Sequence, residues 1–142
     1  MPADNATGVL INANIVLNFS ESMDVESGNI EIYKTSDNSL VETIDVTSSQ
    51  VTGTGTTAIT INPSSDFEYN VEYYVLIDAT AFDDGSDASY AGITSTTALS
   101  FTVSDDRLDP TTIKDVIGSI DAQSELAKNY ISQSIDLSLI HI

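Results

Sequence analysis

Cysteine is absent from this chain, which removes disulfides, thiolate zinc sites and thiol nucleophiles in one step. Its absence argues neither for nor against export. Basic residues are nearly absent too: 4 Lys+Arg stand against 22 Asp+Glu, for a formal net charge of −18. Phosphate backbones and anionic bilayers are held by clustered Lys and Arg, so nucleic acid is excluded as a partner and direct membrane insertion is not expected. That charge suits divalent cations and a saline medium, where ions screen self-repulsion over about 8 Å. No apolar run approaches the roughly 20 residues that a membrane-spanning helix needs. Met1-Pro2-Ala3-Asp4 offers neither a basic n-region nor an apolar h-region, so any export signal is expected outside this sequence.

What remains is ample for folding. The 142 residues, 41% of them hydrophobic, suit one packed domain with a little left over. Up to about Val103 the chain is rich in Thr, Ser, Val and Ile, in short apolar runs broken by turn residues. Ile15, Leu17 and Phe19 alternate on one face. Ile30-Glu31-Ile32-Tyr33 follows a Ser27-Gly28-Asn29 turn, and Ile44 and Val46 alternate with Glu42 and Asp45. Ala58-Ile59-Thr60-Ile61 is stopped by Asn62-Pro63; Glu72 to Ile77 is the most apolar run and reads as central; Leu99 to Val103 reads as the last strand. Six or seven short strands at this spacing predict an all-β, Ig-like β-sandwich over 2–103, without the Ig disulfide.

After Ser104 the texture changes. Residues 104–110 form an acidic linker, where Asp109 suits an N-cap and Pro110 the first helical position. Ile113, Ile117, Ile120, Ala127 and Ile131 then recur at threes and fours, which predicts an amphipathic α-helix over 111–135. This segment is expected to begin a further region and to pair with a partner outside the sequence. Residues 137–142, Leu137-Ser138-Leu139-Ile140-His141-Ile142, resemble the in-frame translation of a transposon-derived sequencing adapter. They are expected to be a non-native tail, which leaves the sole histidine without functional weight.

The run Pro2 to Val9, then Asn12-Ala13-Asn14-Ile15-Val16-Leu17-Asn18-Phe19-Ser20-Glu21, resembles the opening of bacterial Ig-like domains of the S-layer-associated type. Gly28 to Tyr33, Tyr73 to Asp83 and Tyr90-Ala91-Gly92-Ile93 continue the likeness, which covers about 2–102. It implies a sandwich often repeated in tandem in large exported proteins, serving as spacer, adhesin stalk or S-layer piece. Asp115 to Ser124 resembles segments that precede autotransporter-type outer-membrane barrels.

Catalysis is not expected. A serine without a base is inert, and paired carboxylates arise by chance among so many acids without a pocket to serve. Gly53-Thr54-Gly55 lacks the lysine and the following helix of a phosphate loop. Calcium is the sharper expectation, because Ca²⁺ takes six to eight oxygen ligands from a chain that curls around it. The loop from Asp78 to Asp87 places Asp78, Asp83, Asp84 and Asp87 around Gly85. Its spacing is not that of an EF-hand, and the plain alternative is a solvated acidic turn. Glu21 and Asp24, expected in a turn after Phe19, are a second candidate, with backbone-bonded turn carboxylates as the alternative. Asp105, Asp106 and Asp109 in the linker are a third. Tyr73 and Tyr74 should face opposite ways, one to the core and one to the rim. Tyr33, Tyr69 and Tyr90 could form a sugar-stacking platform, or be packing residues with wet hydroxyls.

These readings predict a non-enzymatic spacer module of a large exported bacterial surface protein or adhesin, at the cell surface, beside neighbouring Ig-like repeats, with calcium as the expected stiffening ion. The alternatives are an adhesive domain recognising a surface glycan or protein ligand, and an accessory domain of a secreted hydrolase.

Overall fold

A computed structural model describes residues 4–86 and 88–105. Among them nine strands form two sheets, so the sandwich has more strands than the six or seven expected. The strands are β1 (Ala6–Val9), β2 (Ile15–Val25), β3 (Asn29–Lys34), β4 (Leu40–Asp45), β5 (Val51–Thr52), β6 (Thr56–Ile61), β7 (Glu72–Ile77), β8 (Phe82–Asp84) and β9 (Ser100–Val103). One sheet runs β1-β9-β7-β3-β4 and the other β5-β6-β2-β8. The expected helix at 111–135, most of the linker and the tail at 137–142 lie outside the described residues.

The three unexpected strands, β1, β5 and β8, are short and weakly patterned. Ala6-Thr7-Gly8-Val9 has little to bury, and Val51-Thr52 is two residues long. Phe82-Asp83-Asp84 reads as loop because two of its three residues are charged, yet Phe82 is wholly buried. The core forms between the sheets. Ile15, Leu17, Ile59, Ile61 and Phe82 come from the smaller sheet; Ile30, Ile32, Ile44, Tyr73, Val75, Ile77, Phe101 and Val103 come from the larger. Each set follows the two-residue period that puts alternate side chains on one face. Burying a side chain of this size contributes about 1.5–3 kcal/mol, which opposes the ordering entropy of the short strands.

β7 is central, as its apolar run predicts, with β9 on one side and β3 on the other. Tyr73 points inward and its hydroxyl accepts the Glu68 N–H at 2.9 Å. Tyr74 points outward as expected but is buried rather than rim-exposed, because Tyr33 on β3 stacks over it at 5.1 Å with ring planes 8° apart.

Most pairings are antiparallel. The exception is β1 with β9, the first and last strands, which run parallel with Ala6 beside Phe101 and Val9 beside Val103. The Asn5 N–H donates to the Ser100 carbonyl at one end of the pair, and the Ser104 N–H donates to the Val9 carbonyl at the other, both at 2.8 Å. Asp4 adds its carboxylate, accepting the Ser100 N–H at 3.1 Å.

Candidate functional site

The carboxylates singled out in the sequence fall in three places. Asp78 directly follows β7, and its Oδ2 accepts the Asn29 N–H at 2.8 Å, closing the turn that leads into β3. Gly28, at φ +118°, lies so close to Asp78 that any side chain there would meet it. Asp78 therefore has a structural task in this turn.

Glu21 and Asp24 do not lie in a turn. β2 continues through them to Val25, with an irregularity between Asn18 and Met23 where it leaves the regular β6 ladder and takes up β8. Such a bulge re-aims a strand, and here it lets one strand serve two partners in turn. The alternation Ile15, Leu17, Phe19 ends at the bulge, which is why the sequence suggests a stop there. In the antiparallel β2–β8 register, Asp24 stands opposite Asp83 and Met23 opposite Asp84. Asp24 also accepts the Thr54 hydroxyl at 3.5 Å, and that same hydroxyl oxygen accepts the Val25 N–H at 3.1 Å.

Asp84 follows Asp83 on β8, so the two side chains leave opposite faces of the strand. Asp84 Oδ1 accepts the Ala88 N–H at 2.9 Å, the Ser86 N–H at 2.9 Å and the Ser86 hydroxyl at 2.8 Å. These bonds, the Ala88 amide first, hold its carboxyl below the usual carboxylate range. Glu21 and Asp84 border one cavity of about 230 Å³ with Phe19, Met23 and Tyr90. Asp87 lies outside the described residues. Among the described residues, no group of three or more carboxylate or imidazole side chains is gathered as a metal site would need.

The Asp84 arrangement occurs twice more. Asp37 accepts the N–H and hydroxyl of Ser39, and Asp45 accepts those of Thr47. In both, the side-chain hydroxyl bond is the leading cause that keeps the carboxyl below its ordinary range. The shared pattern, Asp-x-Ser/Thr, is legible in the sequence, and its chemistry is that of an Asx turn, with the carboxylate standing in for a backbone acceptor. Glu42 does similar work between sheets, accepting the Ser64 N–H at 3.0 Å and the Gln50 amide at 2.8 Å.

Tyr33 and Tyr90 of the expected platform pack in different places. Tyr33 belongs to the Tyr74 stack on the larger sheet. Tyr90 packs edge-on against Phe19 at 5.2 Å, beside β8 of the smaller sheet.

Two packed sheets without a cysteine are the all-β, Ig-like sandwich the residue pattern predicts, and the chain matches the family model for the bacterial Ig-like domain over residues 1–103. The chain belongs to the bacterial Ig-like domain family. No curated protein and no solved structure matches it. Bacterial Ig-like domains are generally non-catalytic and typically occur in surface or exported proteins. This bacterial Ig-like domain is accordingly consistent with a structural module of a surface protein. No helix among its described residues is long and apolar enough to cross a membrane.

Proposed function

We propose that this domain is a spacer in a large exported bacterial surface protein of the S-layer or adhesin kind, working by length, stiffness and solubility beside neighbouring Ig-like repeats. The parallel β1–β9 pair carries this reading. Because these strands run the same way, the chain arrives at one end of the pair and departs from the other. Tension applied through the two termini then pulls β1 and β9 past each other, so their hydrogen bonds resist together instead of opening one by one. An antiparallel terminal pair would peel. The acidic surface keeps adjacent copies apart.

The test is force spectroscopy of the domain held by its termini. We expect single-step rupture, and a lower rupture force when Val9→Pro removes a ladder donor from β1. Equal forces for the two proteins would refute a spacer built on this pair.

Calcium belongs to the same proposal as a counter-ion that stiffens the module. Its support is the facing pair of Asp24 and Asp83. Two carboxylates completed by water suit the weak end of calcium binding, Kd on the order of 10⁻⁴–10⁻³ M, as in extracellular modules.

A further inference from the structure

Each sheet of the sandwich ends in two edge strands, and three of the four are short. β5 has two residues, β8 three, and β1 four with Gly8 among them. Short edges offer little for another chain to pair with. β4 is the exception: six residues, Leu40 to Asp45, with neither glycine nor proline. It also lacks lysine, the side chain that commonly guards a free edge.

The aim of its backbone groups follows from the β3 ladder. Just beyond the strand, the Val46 N–H donates to the Gly28 carbonyl at 3.0 Å. Bonded pairs alternate along an antiparallel ladder, so Ile44 and Glu42 bond to their partners Ile30 and Ile32. Thr43 and Asp45 therefore turn N–H and C=O to the free edge. The Asp45 carbonyl accepts the Ser48 N–H at 3.0 Å, which leaves the Asp45 N–H and both Thr43 groups for a further strand. Beside them Leu40 and Val41 are 52% and 44% exposed, two of the three large apolar side chains open to solvent among the described residues. Strand addition uses these two features together: main-chain bonds give affinity and side-chain contacts give specificity.

Charge decides what kind of strand fits. Glu42 and Asp45 lie on β4, and Asp37 in the turn before it. Asp37 and Asp45 stay ionised, their carboxyls held low by bonds from Ser39 and Thr47. Lys34, the one basic side chain among the described residues, is already paired with Glu68 at 2.6 Å. A second copy would set the same acidic strand, on a chain of net charge −18, against this edge. We propose that the free edge of β4 accepts an extended, basic segment of a partner protein as an added strand, apolar beside Val41 and carrying lysine or arginine toward Asp37 and Asp45. This contact is independent of the spacer reading and of the cation pair.

The experiment is an amide-resonance NMR titration of the full chain with a short capped peptide of alternating valine and threonine, ended by lysines, and with its glutamate-ended counterpart. The contact is smaller than a standard interface, so a Kd on the order of 10⁻⁴ M is expected. The lysine-ended peptide should give saturable shifts at Val41, Thr43 and Asp45, and the glutamate-ended peptide none. Thr43→Pro removes a donor of the free edge without touching the β3 ladder, and should weaken binding about ten-fold. Val41→Lys sets a like charge against the basic segment, and should weaken binding about five-fold with the melting midpoint unchanged. It carries the test alone if the proline variant fails to fold. Absence of saturable shifts with the lysine-ended peptide overturns the proposal. So does an equal response to the glutamate-ended peptide, or binding that Val41→Lys leaves intact. Concentration-dependent self-association through the same resonances would assign this edge to a second copy, and overturns it as well.

Discussion

Asp24 and Asp83 face each other directly across the antiparallel β2–β8 pair, two carboxylates where a sheet ordinarily sets opposite charges or apolar partners. Like charges so placed destabilise a strand pair. We expect Asp83→Asn to raise the melting midpoint by roughly 1–4 °C at low salt. The gain should shrink as sodium chloride screens the pair. An unchanged midpoint at low salt would mean that the carboxylates splay apart in solution.

Calcium provides a second reading of the same pair. Millimolar Ca²⁺ should raise the midpoint beyond sodium chloride of equal ionic strength, since a ligand bound only by the folded state stabilises it by mass action. Asp83→Asn should abolish that difference. If sodium does as well as calcium in the unsubstituted protein, the acidity acts through screening alone.

Phe82 separates a strand from a loop. Its ring is fully buried, 5.9 Å from Phe19 and 6.3 Å from Tyr90. Truncation by Phe82→Ala should cost about 3–5 kcal/mol in urea unfolding. A residue on an acidic surface loop would lose well under ~1 kcal/mol on the same change.

The three Asp-x-Ser/Thr turns predict an acid limb. Asp37, Asp45 and Asp84 are each held below the ordinary carboxylate value of 3.8 by bonds that the unfolded chain lacks. Because the folded value is the lower one, their contribution is fully present above pH 3.8 and fades as pH falls through the folded values. Asparagine keeps an acceptor oxygen but does not titrate in this range. A triple Asp→Asn variant should therefore lose less stability than the unsubstituted protein between about pH 4 and pH 2. Parallel acid limbs in the two proteins would remove these turns from the account.

Gly53 should resist substitution. Its φ of +101° belongs to glycine, and a side chain there would run into the Ala58 carbonyl oxygen across the β5–β6 turn. Gly53→Ala should cost roughly 1–3 kcal/mol by chemical denaturation. Gly85→Ala, which meets nothing, is the matched control.

Much of this fold is visible along the chain. Strands β2, β3, β4, β6, β7 and β9 announce themselves wherever one face is buried and the other wet, because alternation is then enforced residue by residue. The Asp-x-Ser/Thr turns are equally local, their partners lying within four residues. What escapes a linear reading depends on partners far away. β1 is a strand because β9, some ninety residues later, supplies its hydrogen bonds. β8 is a strand because Phe82 needs the core and β2 bends to meet it. The stretch from Asp78 to Asp84 reads as one acidic loop, yet the fold ties Asp78 to Asn29 and sets Asp83 against Asp24.

Composition and periodicity by themselves determined a cysteine-free, acidic, all-β sandwich with β7 at its centre, because burial of apolar surface acts on every residue in turn. Only the tertiary structure decided which carboxylates meet, that the first and last strands run parallel, and that Tyr33 stacks on Tyr74. Those are matters of register between distant strands, and register is a property of the packed pair.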